Sequence, residues 1–163
     1  MRMDSVAEWA AHYAAKGLPV FPCKPDKTPH VAGGFKTATT DARSVASFWA
    51  QWPNAMIGMP TGVVSGVWVL DVDVKNGVDG RATLAALVGA ITHPALRLRV
   101  RTPSGGLHLH YAIPDGAPRL KCSAGKLGPG LDVRADGGYI ILPPSRPAPD
   151  AKAYEVEDFD APL

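Results

Sequence analysis

The chain has 163 residues, 46% of them hydrophobic and 20% charged, which suits a globular domain with a sizeable core. Its 17 Lys and Arg against 15 Asp and Glu leave a net charge of only +2, which excludes nucleic-acid binding through overall charge and leaves a local basic surface as the electrostatic route. No apolar run approaches the roughly 20 residues that span a bilayer and no secretory segment opens the chain, so the expected location is the cytoplasm, with no membrane partner.

Asp4 or Ser5 caps a first helix running to about Lys16, with Val6, Trp9, Ala10 and Tyr13 on one apolar face and Gly17 as its stop. Leu18 to Pro22 is a short strand, and Lys24 to Thr40 is a loop carrying Lys24, Lys27 and Lys36. Thr40 or Asp41 caps a second helix to Trp52, whose face of Val45, Phe48, Trp49 and Trp52 reads as core. After a turn at Pro53-Asn54, Ala55 to Met59 is a strand that Pro60-Thr61-Gly62 breaks. Val67 to Val74 is the most strand-like stretch of the chain, and Asp79 or Gly80 opens a third helix through Ala90.

Leu96, Leu98 and Val100 alternate with Arg97, Arg99 and Arg101, which predicts a half-exposed strand with a solvated basic face. These arginines, with Arg119, Lys121, Lys126 and Arg134, gather basic charge late in the chain, before an acidic end at Glu155, Glu157, Asp158 and Asp160. Thr102 to Gly106 is a tight turn and Leu107 to Ile113 the next strand. Leu131 to Arg134 and Tyr139 to Leu142 bracket Asp136-Gly137-Gly138, a hairpin signal. Ala153 to Val156 adds an edge strand. Without an internal repeat or a low-complexity tract, the pattern predicts one α/β domain with a largely antiparallel sheet and helices packed on it. Cys23 and Cys122 make no CxxC pair, which disfavours a Cys-rich zinc site, and both are expected to be reduced thiols.

Chemistry concentrates in three places. In the central strand, alternation puts Asp71 and Asp73 on one face and Trp68, Leu70, Val72 and Val74 on the other. Two carboxylates this close repel unless a cation offsets them, and oxygen-only ligands suit Mg²⁺ or Mn²⁺; the plainer alternative is a strand end where two acids reach solvent. In Ser104-Gly105-Gly106-Leu107-His108, two glycines let backbone N–H groups approach a phosphate and Ser104 adds a hydroxyl. The strand that follows sets His108 and His110 on one face; a lone strand histidine is usually structural, and His108, directly after the Gly-Gly turn, is the better candidate for a phosphate donor. Leu131-Asp132-Val133-Arg134 aligns Asp132, a third candidate metal carboxylate, with Arg134, a candidate phosphate clamp, and the same two residues also make sense as a local ion pair. The lysine loop, Lys27 included, has the reach for a triphosphate or is simply solvated.

In this order, Asp71-x-Asp73, Ser104-Gly-Gly-x-His108, Leu131-Asp132-x-Arg134, Gly137-Gly138-Tyr139 and Pro143-Pro144-Ser145 resemble the bifunctional primase-polymerase N-terminal domains of plasmid and phage replication proteins, in the archaeo-eukaryotic primase superfamily. The likeness also takes in Gly17-Leu18-Pro19-Val20-Phe21-Pro22, Lys27-x-Pro29, Trp52-Pro53-Asn54, Ile57-Gly58 and Thr61-Gly62, and covers residues 5 to 156. The resemblance implies an α+β fold on an RRM-like, largely antiparallel sheet with an added N-terminal α/β unit, and one catalytic domain over residues 1–163, the N-terminal part of a longer replication protein. It implies a DNA-dependent nucleotidyltransferase that uses two Mg²⁺ or Mn²⁺ ions, NTP or dNTP substrates and a single-stranded DNA template, in a bacterial or other prokaryotic cell. Asp71, Asp73 and Asp132 match the family's metal-binding acids and His108 its triphosphate-binding histidine. Ser104, Gly105, Gly106, Arg134 and Lys27 complete the expected nucleotide site. The second acid of the first motif is Asp73, where many relatives carry Glu. No Walker A sequence occurs, so a helicase, as a further domain or a partner, would lie beyond Leu163.

Two rivals come from other classes. His108-Leu109-His110 spells the His-hydrophobic-His pair of rolling-circle nicking endonucleases, which also need a tyrosine nucleophile on a helix after the histidines. Tyr111, Tyr139 and Tyr154 fall on no predicted helix. A non-catalytic single-stranded DNA-binding module would stack bases on exposed aromatics, whereas the aromatics here mostly fall on helix core stripes. An Asp-x-Asp sugar-nucleotide transferase is a further alternative.

Overall fold

The first helix, α1 (Val6–Ala15), starts where its cap lies: Ser5 Oγ accepts from the Glu8 N–H, and the Glu8 carboxylate accepts from the Ser5 N–H in return. In the computed structural model, which describes residues 2–87 and 94–158, this helix belongs to the first of two compact units, Met1–Pro60 with Tyr139–Tyr154. The second unit is Thr61–Gly138 with Glu155–Leu163.

In the first unit, α2 (Ala42–Gln51) is capped by the Asp41 carboxylate, which accepts from Ser44 N–H. The two helices pack on each other and on a three-stranded sheet, β1 (Phe21–Cys23), β2 (Met56–Pro60) and β10 (Tyr139–Leu142), with β2 central and both pairings antiparallel. Ala10, Ala14, Val45, Trp49, Phe21, Ile57, Met59 and Ile141 are buried there. The expected loop between β1 and α2 contains a short 3-10 turn at Gly34–Thr37.

The second unit holds a six-stranded antiparallel sheet: β3 (Val67–Val72), β6 (Leu96–Arg101), β7 (Leu107–Ala112), β8 (Ser123–Ala124), β9 (Leu131–Arg134) and β11 (Glu155–Val156), in the order β11-β6-β7-β3-β9-β8. A two-stranded ribbon of β4 (Val74–Lys75) and β5 (Val78–Asp79) leads into α3 (Gly80–Leu87), which packs on β3 and β9. Leu70, Val72, Leu84, Leu96, Leu107, Leu109 and Leu131 form one buried cluster flanked by Trp68 and Tyr111. The fold is therefore α+β with antiparallel sheets, as expected, and the extension of α3 to Ala90 lies outside the described residues.

Three local expectations need correction. The Asp136-Gly137-Gly138 turn exists, with Gly137 at φ 86° and the Gly138 N–H donating to the Ala135 carbonyl, but it does not close a hairpin. β9 pairs with β3 and β8, whereas β10 pairs with β2 in the other sheet. The basic face of β6 is also only partly solvated: Arg97 and Arg101 are exposed, but Arg99 is not. A bulge between Leu96 and Leu98 adds one residue, and a one-residue shift exchanges the faces. Leu98 and Val100 then stand opposite His110 and His108, while Arg99 stands opposite Leu109 and is fully buried, paired through Nε with Glu157 at 3.0 Å. Finally, β3 ends at Val72. Asp73 leaves the ladder because its N–H donates to Gly130 and its carbonyl accepts from Gly80, both at 2.8 Å.

Candidate metal and nucleotide site

Register in the second unit builds the site. Asp71 on β3 stands directly opposite Asp132 on β9 and opposite His108 on β7. One step along the same face, Val69 stands opposite Arg134 and His110. Cross-strand partners share a face, so Asp71, Asp132, His108, His110 and Arg134 lie together on the face away from the Leu70 cluster. Asp73 joins them although it follows the strand: ligand oxygens of Asp71, Asp73 and Asp132 lie within 4.8 Å of one another, and all three residues are half-buried.

Charge around this triad is arranged pair by pair. Arg134 Nε is 3.6 Å from Asp71 Oδ2, and Arg134 Nη2 is 3.4 Å from Asp132 Oδ2. Lys75 Nζ is 3.1 Å from Asp73 Oδ1. His108 Nε2 is 3.4 Å from the other Asp71 oxygen. Asp132 Oδ1 also accepts from the Gly125 N–H at 3.0 Å, which fixes the orientation of that carboxylate. The triad is thus a set of hard oxygen donors, and that donor chemistry fits a divalent cation. Asp71, Asp73 and Asp132 would hold the ion.

His110 differs from His108. It is 4% exposed, and burial, followed by the neighbouring His108, pushes its pKa down to about 3, so it is neutral at any physiological pH. The two rings lie 6.3 Å apart, and the acidic triad includes neither of them.

The turn before β7 is closed by the Gly105 N–H donating to the Thr102 carbonyl at 2.9 Å and by the Thr102 N–H donating to Gly106 at 3.0 Å. Ser104 is exposed, with its hydroxyl 3.2 Å from that of Thr102. Gly105 takes φ 92°, a left-handed conformation that glycine adopts without strain. Gly106 is required for another reason: a Cβ there would collide with the Val72 carbonyl oxygen. Its missing side chain lets β7 start beside the end of β3.

Of the residues expected from the sequence, Asp71, Asp73, Asp132, His108 and Arg134 come together, and the Ser104-Gly105-Gly106 turn leads directly into His108. Arg134 is engaged by the acids rather than held apart for phosphate. Lys27 belongs to the first unit, where it is exposed and its carbonyl accepts from the Tyr139 hydroxyl at 2.9 Å. Sequence reasoning missed Lys75 and Arg81. Arg81, on the first turn of α3, donates Nε–H to the Gly105 carbonyl at 2.8 Å. The only signal for Lys75 was its place two residues after Asp73; nothing local marks Arg81. Both cysteines are free thiols; burial pushes that of Cys23 up to about 12. Among the described residues no helix is long and apolar enough to cross a membrane, and no tyrosine after His110 lies on a helix.

Among known families, the model of the bifunctional DNA primase/polymerase N-terminal domain matches residues 10–163 of the chain. No curated protein matches the chain.

Proposed function

The chain belongs to the bifunctional DNA primase/polymerase N-terminal family, and from that premise we propose that it is a nucleotidyltransferase that makes primers or extends DNA on a single-stranded template. One observation carries the reading: three carboxylates whose ligand oxygens lie within 4.8 Å of one another, in a chain of this family. Two divalent ions, when bound, supply the positive charge that offsets charge on the attacking and leaving oxygens of an in-line displacement.

The chain's own share is positioning and charge, the larger part of phosphoryl-transfer catalysis. Asp71, Asp73 and Asp132 hold the cations. Arg134 and Lys75 keep these acids apart from one another's repulsion before the cations arrive. His108, set by its contact with Asp71, faces the same site and donates to the triphosphate, with Ser104 and the Gly105-Gly106 turn beside it. The substrates are NTPs or dNTPs, and the family's description as an N-terminal domain supports a place within a longer protein; a cytoplasmic setting and a helicase as neighbour or partner complete the proposal. The nicking reading has no tyrosine on a helix after the histidines to support it.

The test is incubation with single-stranded template, labelled nucleotides and Mg²⁺ or Mn²⁺. Template-dependent products are expected; a folded protein that incorporates nothing with either ion and either sugar would overturn the proposal.

A further inference from the structure

Two arginines of the second unit lie near the site and are held in different ways. Arg134 is drawn onto Asp71 and Asp132. Arg81 is held differently: its Nε–H donates to the Gly105 carbonyl at 2.8 Å, it is half-buried, and among the described residues it has no carboxylate partner. Arg99, Arg101, Arg119 and Arg134 each have one. With Nε anchored on the turn, the two Nη groups of Arg81 remain as a planar pair of donors, the geometry that grips phosphate oxygens two at a time.

The backbone beneath Arg81 is fixed to the acidic triad. Gly80 N–H donates to the Asp73 carbonyl at 2.8 Å, and a Cβ on Gly80 would stand 2.7 Å from that oxygen and 2.5 Å from the Gly130 carbonyl oxygen. The start of α3 therefore packs directly on the segments that carry Asp73 and lead to Asp132. Arg81 connects this packing to the Ser104-Gly105-Gly106 turn, the part of the site expected to meet phosphate.

We propose that Arg81 is a phosphate-binding residue of the nucleotide site, gripping the polyphosphate of the incoming nucleotide from α3 while its Nε holds the Gly105 turn in place. This rests on the reading of the turn and His108 as that site. Arg81 supplies the guanidinium there because Arg134 is occupied by the carboxylates. The plain alternative is an arginine that only staples the turn, and it predicts a different pattern of loss: a loosened turn weakens all nucleotides alike, whereas a lost phosphate grip weakens them in proportion to their phosphates.

The experiment is calorimetric binding of a nucleoside mono-, di- and non-hydrolysable triphosphate to the wild type, Arg81→Gln, Arg81→Lys and His108→Ala, with thermal melting of each. Arg81→Gln should weaken the triphosphate about tenfold or more and the monophosphate much less, with Arg81→Lys between the two. Should Arg81→Gln fail to fold, Arg81→Lys, which keeps the charge and loses the fork, gives the same comparison. Unchanged triphosphate affinity, or equal losses for all three ligands, would overturn the assignment. If His108→Ala loses affinity while Arg81→Gln keeps it, only the Arg81 assignment falls. If the folded wild type binds none of the ligands, the nucleotide-site reading falls and Arg81 with it.

Discussion

Arg134→Gln is the perturbation that tests how the acidic triad is balanced. The guanidinium lies 3.6 Å from Asp71 and 3.4 Å from Asp132, with about two fifths of the arginine side chain exposed (39%) against 15% and 18% for the acids. At such distances a unit pair interacts by about 1 kcal/mol in water and about 4 kcal/mol at the effective dielectric of a protein surface. Solvent at the exposed guanidinium and the cost of ordering the side chain bring each pair to roughly 0.5–1 kcal/mol. Without a divalent ion, the substitution should destabilise the protein by about 1–2 kcal/mol, since Asp71 and Asp132 lose their shared counter-charge. A bound cation must compete with that same guanidinium. Removing it should therefore tighten Mn²⁺ binding by about 5- to 30-fold, the same 1–2 kcal/mol expressed as an affinity. Urea unfolding in chelator and in excess Mn²⁺, with a calorimetric Mn²⁺ titration, measures both quantities. Weaker or unchanged Mn²⁺ affinity in a folded Arg134→Gln protein would refute the competition, and with it the placing of the cation among these acids.

His108→Ala should cut nucleotide incorporation by about tenfold or more, the loss of a hydrogen bond to a charged group at ~1.5–3 kcal/mol, whereas His110→Phe should be tolerated; equal losses in incorporation rate would refute the division of roles. His110 also makes stability depend on pH. Its folded pKa of about 3 lies below the unfolded value of about 6.5, so between these limits only the unfolded chain takes up the proton, and stability falls as pH falls, by about 2–3 kcal/mol at pH 4.5. Urea unfolding at pH 7.5 and 4.5 should show that part of the loss vanish in His110→Phe; an identical pH dependence in both proteins would contradict it. Gly106→Ala should destabilise by about 1–3 kcal/mol, because the added Cβ meets the Val72 carbonyl and backbone must move, and an unchanged urea midpoint would refute that reading.

What the sequence made legible was local. Caps at Ser5 and Asp41 and the apolar stripes located α1 and α2 to within a residue or two, because a helix start is specified by the side chains beside it. Strict alternation put His108 and His110 on one face, and the register then set Asp71 and Asp132 together. What it missed depends on partners far along the chain. Whether the strands around Gly137 pair with each other or with two different sheets is decided by β2 and β3, not by the turn. The bulge in β6 leaves no mark in an alternating Leu-Arg pattern, yet it buries Arg99 against Glu157, 58 residues away. Gly106 fits a phosphate-binding turn by sequence, while its missing Cβ answers to the backbone of Val72. Arg81 meets Gly105 only through the folding of α3 onto the sheet.

We propose that Asp71, Asp73 and Asp132 hold the cations that nucleotide transfer requires. The most direct test is template-directed incorporation of labelled nucleotides by the wild type, Asp71→Asn and Asp132→Asn across a Mn²⁺ series, with folding checked by circular dichroism. Mn²⁺-dependent products are expected from the wild type, with a loss of incorporation of at least about a thousandfold, ~4 kcal/mol or more of transition-state stabilisation, in each folded variant. Near-normal incorporation by either folded variant would contradict it.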